Sequence, residues 1–177
     1  MGPTRIISVV GRKDAGKTTL VVALASEFAR QGHRVATIKH GHHPALVDTE
    51  GTDTWRHYNE GHARRVMIES PGQRVVFERT DADGDPEDLA RQYMKGMDFV
   101  LAEGFKRSPL PRIEVHRKSL HPEPLFDPSA PNADLWVAVV TDDASLRPPC
   151  PVFRFSDTAW LVTLSGLAWS RAKLLQP

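Results

Sequence analysis

The sequence predicts an α/β fold, with a mostly parallel sheet in three layers and helices on both faces. Three observations carry this. A β-branched run, Arg5-Ile6-Ile7-Ser8-Val9-Val10, passes through a glycine loop into a helix-forming stretch. Further apolar runs, Asp98-Phe99-Val100-Leu101-Ala102 and Leu135-Trp136-Val137-Ala138-Val139-Val140, alternate with helical segments. Each run ends in polar or glycine-rich residues, the composition expected where an open parallel sheet binds ligands.

The elements follow in order. Strand 5–10 leads through loop 11–16 to helix 17–31, and Gly32 supplies a helix stop. His33-Arg34-Val35-Ala36-Thr37-Ile38 is a second strand, so the intervening helix makes a right-handed crossover. A polar stretch, 39–53, precedes a short helix over 54–62. Ser70-Pro71-Gly72-Gln73 separates two β-rich runs, 66–69 and 74–78, which predicts a hairpin. Asp85-Pro86-Glu87-Asp88 starts a helix that reaches about Met94. Strands follow at 98–102, 113–116, 135–140 and 152–153, with a proline-rich loop over 121–131. Asp157 is expected to cap a final helix ending near Trp169. No linker or repeat divides the chain, so one nucleotide-binding domain over 1–177 is expected.

Composition narrows the partners. The chain has 177 residues, with 23 Lys and Arg against 22 Asp and Glu, a net charge of +1. That balance gives no general electrostatic reason to bind nucleic acid or a membrane. Cys150 is the single cysteine and cannot form an internal disulfide. No stretch resembles a secretory signal or approaches membrane-spanning length, so a soluble cytoplasmic protein is expected.

The loop itself reads Gly11-Arg12-Lys13-Asp14-Ala15-Gly16-Lys17-Thr18, which is G-x-x-x-x-G-K-[ST] between a strand and a helix. This is the phosphate-binding loop of nucleoside triphosphatases, and it places the chain in the three-layer P-loop NTPase fold. The glycines let main-chain N–H groups turn inward around an anion, and the helix start adds partial positive charge. Lys17 is expected to reach the outer phosphates as the catalytic cation, and Thr18 to ligate Mg²⁺. Water would attack the γ-phosphate in line while Lys17 and the metal neutralise developing charge. With no evident catalytic glutamine or arginine finger, turnover should be slow. Arg12 and Lys13 are candidate cationic helpers.

Other strand ends add candidates. Glu103, closing the 98–102 run before Gly104, is the expected acidic partner of the metal. Lys39 ends the second strand and either meets phosphate or is solvated. Asp48 and Asp53 lie in a segment that could sense the terminal phosphate through Mg²⁺, although Asp53 could instead cap the following helix. Asp142 stands where a carboxylate could accept from guanine N1–H and N2–H₂, favouring GTP, or could simply form a turn. The His40-Gly41-His42-His43 cluster could bind Zn²⁺ or Ni²⁺, phosphate or a partner. It keeps open a metal-insertion, nickel-type accessory GTPase as an alternative. His57, His62 and His116 carry no assignment.

Several strings coincide with one family. The chain resembles the MobB family of molybdopterin-guanine dinucleotide biosynthesis adaptor proteins. The resemblance rests on the phosphate loop with Lys17-Thr18-Thr19-Leu20, Thr37-Ile38-Lys39-His40-Gly41-His42-His43, and the segment from Asp48 to His57. Val100-Leu101-Ala102-Glu103-Gly104-Phe105-Lys106, Pro111-Arg112-Ile113-Glu114-Val115-His116-Arg117 and Val137-Ala138-Val139-Val140-Thr141-Asp142 extend it over nearly the whole chain. The resemblance implies GTP and Mg²⁺ binding, weak hydrolysis and homodimerisation. It also implies support for the guanylyltransferase that joins GMP to molybdopterin. Under it Gly11, Asp14, Ala15, Gly16, Lys17, Thr18 and Thr19 hold phosphates, with Arg12 and Lys13 in the same loop. Thr18 and Glu103, together with Asp53, hold magnesium. The loop departs from the family's glycine-rich pattern at Arg12, Lys13 and Asp14.

Overall fold

The computed structural model describes residues 2–41, 48–157 and 159–176. Two compact units emerge, one from 1–40 with 85–177, and one from 41–84, inserted in sequence between them.

The first unit holds a seven-stranded sheet. Its strands are β1 (Arg5–Gly11), β2 (Val35–Lys39), β5 (Phe99–Glu103), β6 (Arg112–His116), β7 (Trp136–Thr141), β8 (Val152–Arg154) and β9 (Lys173–Leu174). The order β2-β5-β1-β6-β7-β8 is parallel throughout, and only β9 runs antiparallel, against Arg5 and Ile6. The predicted mostly parallel α/β sheet is therefore the observed one. Every residue of β5, β6 and β7 is buried, because helices or loops cover both faces.

Period-two alternation sorts β1 and β5 between two cores. Ile7, Val9, Phe99 and Leu101 pack with Leu20, Leu24 and Phe28 of α1 (Lys17–Arg30) and Leu164 and Ala168 of α4 (Trp160–Arg171). Ile6, Val100 and Ala102 pack on the other face with Ala90 of α3 (Pro86–Tyr93) and Leu110. Phe28 stacks on Phe99 with centroids 4.3 Å apart, tying α1 to the sheet centre. Phe126, Trp136 and Val139 form a third cluster beneath the 121–131 loop.

Helix starts follow local signals where no other group competes for the capping side chain. Asp85 caps α3 by accepting from the Glu87 and Asp88 amides, with Pro86 in the first turn. Asp157 does not cap α4: its carboxylate accepts from the Arg154 amide, and Ala159 holds the cap position in a left-handed conformation. The reason is the tight turn after β8, which uses the carboxylate first. The two-residue β9 and a 3₁₀ turn at Ala133–Leu135 were not foreseen, being too short for a periodic pattern.

The second unit contains α2 (Asp53–Asn59) and a hairpin of β3 (Arg65–Ser70) and β4 (Gln73–Glu78). Tyr58 of α2 lies near Phe77 of β4, and the Arg79 guanidinium sits 3.9 Å above the Tyr58 ring. Thr52, not Asp53, caps α2 by accepting from the Trp55 amide. Asp53 is the first helical residue, where its charge favours the positive end of the helix dipole. Within the described residues no helix is long and apolar enough to cross a membrane.

Candidate functional site

The loop between β1 and α1 is shaped by backbone constraint. A Cβ on Gly11 would overlap the Val115 carbonyl oxygen of the adjacent β6, so only glycine lets the chain turn there. Gly16, with φ of 102°, forms the left-handed cap of α1. Asp14 also holds a left-handed conformation, at φ of 61°. Aspartate tolerates this region better than most residues, so the loop turns here without a glycine. Ala15 is buried in the core below. The first intrahelical bond runs from the Leu20 amide to the Gly16 carbonyl. The amides of Lys17, Thr18 and Thr19 precede it and so have no acceptor within the helix, the condition for anion binding at a helix start.

Polar side chains from three strand ends converge at this loop. Lys17 Nζ donates to the Arg12 carbonyl at 2.7 Å. Thr18 Oγ1 donates to Glu103 Oε1 at 2.8 Å. Lys39 Nζ lies 3.2 Å from the same Oε1. Glu103 is only 6% exposed, and its backbone is fixed on both sides: its carbonyl accepts from the His40 amide, and the Gly104 amide donates to Val9. Burial, then the Lys106 ammonium, pull the Lys17 ammonium below its usual range, with Lys39 adding to the effect and Glu103 and Asp14 opposing it. Lys17 and Lys106 thus disfavour each other's charge, and an anion between them would relieve that repulsion.

A second layer of polar residues braces the loop from β6. Arg112, Glu114 and His116 alternate along that strand and are all buried. Arg112 donates to the carbonyls of Lys106, Ser108 and Leu110, fixing the turn after β5, and sits 4.7 Å from the centre of the Trp136 ring. Glu114 accepts from the Leu125 and Phe126 amides and the Trp136 indole. His116 bridges Thr141 Oγ1 and the His121 carbonyl. The His121 ring donates to the Lys13 carbonyl, and Arg12 Nε donates to the Glu123 carbonyl. Sequence reasoning gives no individual role to His116, Lys106, Arg112, Glu114 or His121. The polar alternation Arg-Ile-Glu-Val-His was the available signal for three of them.

Asp142 accepts from the Lys118 amide at 2.7 Å and the Ser119 hydroxyl at 3.3 Å, joining the ends of β6 and β7. Asp53 belongs to the second unit. Of the histidine cluster, His42 and His43 lie outside the described residues, and the His40 ring packs at 5.2 Å from Phe105. Burial raises the Cys150 thiol, which disfavours the reactive thiolate.

The sequence matches the model of a known protein family. The model for "Molybdopterin guanine dinucleotide synthesis protein B", MobB, aligns with residues 6–142. The chain belongs to this family. The Haemophilus influenzae molybdopterin-guanine dinucleotide biosynthesis adapter protein is 33% identical over 143 residues, 80% of this chain and 76% of the relative. A crystal structure of molybdopterin-guanine biosynthesis protein B superposes with a TM-score of 0.68 at 26% identity, covering 93% of this chain and 98% of that one. Bacillus subtilis MobB gives a TM-score of 0.68 at 23% identity, covering 96% and 98%, and supports the fold. Membership in MobB sets the chain among proteins of molybdopterin guanine dinucleotide biosynthesis, on a P-loop NTPase-like fold.

Proposed function

We propose that this MobB member binds GTP with Mg²⁺, hydrolyses it slowly, and acts as a cytoplasmic adapter for the guanylyltransferase that joins GMP to molybdopterin. The observation that carries the reading is the meeting of Thr18 and Glu103 beside the amides that open α1. A hydroxyl and a carboxylate oxygen 2.8 Å apart are hard donors suited to a small divalent cation. Thr18 and Glu103 would hold the ion, directly or through water. When bound, the ion would neutralise negative charge on the phosphate oxygens.

The chain's own residues do the rest. The loop from Gly11 to Gly16 wraps the phosphates, and the first-turn amides of Lys17, Thr18 and Thr19 donate to them. Lys17 exchanges its bond to the Arg12 carbonyl for one to a charged phosphate oxygen, a stronger acceptor. Arg12 and Lys13 add positive charge at the rim. Asp142, already turned toward the end of β6 by Lys118 and Ser119, is the candidate for guanine recognition. Homodimerisation through the hairpin is part of this reading: Met67 and Val76 face each other across it and are 53% and 41% exposed.

Fluorescent GTP and ATP analogues, titrated with and without magnesium, test the proposal. GTP should bind more tightly than ATP, and magnesium should strengthen it. Lys17→Ala should weaken binding by about tenfold to a hundredfold, the scale of a charge-assisted hydrogen bond. Unchanged affinity in that variant would remove the loop from the mechanism. Light scattering at high concentration tests the dimer, and a purely monomeric mass would reject it.

A further inference from the structure

Lys39 has no task in that mechanism, yet the fold positions it closely. It ends β2 and is the register partner of Glu103 on β5, so the two side chains leave neighbouring strands at one level. Its ammonium lies 3.2 Å from Glu103 Oε1, the oxygen that also takes the Thr18 hydroxyl. The pair is asymmetric: the Glu103 side chain is 8% exposed and that of Lys39 is 63% exposed. A carboxylate this buried requires a counter-ion, whereas an exposed ammonium on a flexible stem moves at little cost.

We infer that Lys39 is a placeholder cation on Glu103, displaced when a divalent metal takes that carboxylate and thereby delivered to the outer phosphates as a second ammonium ligand. The inference rests on the nucleotide reading above and adds to it a coupling between metal and phosphate. Two cations on one carboxylate oxygen repel each other, and the doubly charged ion prevails over the ammonium. The polyphosphate then offers Lys39 a new anionic partner. Metal binding without nucleotide must work against Lys39. Nucleotide binding gains Lys39 only when metal is present.

The experiment uses the full chain. Mn²⁺, followed by its paramagnetic resonance, is titrated into nucleotide-free wild type, Lys39→Met and Lys39→Arg. GTP affinity is measured by calorimetry for each in EDTA and in Mg²⁺. Lys39→Met should bind Mn²⁺ at least about fivefold more tightly than wild type, the lower end of usual coupling strengths. Lys39→Arg should stay near wild type. GTP affinity in EDTA should be the same for wild type and Lys39→Met, and the tightening by Mg²⁺ should shrink in Lys39→Met. Equal or weaker Mn²⁺ binding by Lys39→Met overturns the inference, and GTP binding preserved in the same samples leaves the nucleotide reading standing. Wild type that binds no GTP under either condition overturns both.

Discussion

The His121 ring donates to the Lys13 carbonyl oxygen at 2.8 Å, fastening the 121–131 loop to the phosphate loop 108 positions earlier in the chain. His121 is itself held by its carbonyl, which accepts from buried His116. A line of contacts thus runs from the end of β7, through β6, to the outer wall of the phosphate loop.

His121→Ala should loosen that wall without touching the phosphates. Losing one neutral hydrogen bond predicts a fall in GTP affinity of about twofold to tenfold. Calorimetry on the variant checks this, and the thermal midpoint of the nucleotide-free chain should move little because the bond is exposed. An affinity equal to wild type would show that the clasp does not order the loop.

Lys17 should carry a stability cost in the nucleotide-free protein. Its folded pKa lies below the ordinary 10.5, first because of burial and then because of Lys106. The unfolded chain therefore binds more protons in the window below 10.5, and stability rises with pH there. Lys17→Met should accordingly be more stable than wild type near neutrality, with the gain shrinking as pH climbs through that window. Denaturation midpoints from pH 7 to pH 10 measure it. A variant less stable than wild type at pH 7 contradicts the sign.

Glu114 should matter for folding rather than for nucleotide contact. It is 1% exposed and accepts from two amides and an indole. Glu114→Gln turns an amide toward those donors and should cost about 1–3 kcal/mol. Urea denaturation reads the loss, and the fluorescence of Trp136 should report the freed indole.

Asp98 should protect the chain against acid. The Arg34 guanidinium and amide hold its carboxyl far below the ordinary 3.8. Its contribution is present above that value and lost as pH falls toward the folded pKa. Asp98→Asn should therefore be less stable than wild type at pH 7, and the two should converge on acidification below about pH 4. A difference that persists unchanged to pH 2.5 would assign the effect to packing instead.

The order of elements was legible because each carries a local period or a turn residue. Strand 5–10, the glycine loop and helix 17–31 were read to within one residue of β1 and α1. The α3 start at Asp85-Pro86 was equally local. The face of β6 was not legible. Alternating polar and apolar residues ordinarily mean one face in water, but here main-chain groups of the 121–131 loop partner Glu114 and His116, and carbonyls of the turn after β5 partner Arg112. Nothing along the chain marks Lys106, whose charge acts on Lys17 only through the fold.

The sequence alone determined the sheet class, the glycine loop and the identities of Lys17 and Thr18, since these depend on residues adjacent along the chain. Tertiary structure decided which groups meet there. Glu103 reaches Thr18 across 85 positions, and Lys39 reaches Glu103 through strand register. Such pairings arise from the order in which strands assemble, and no local period encodes that order.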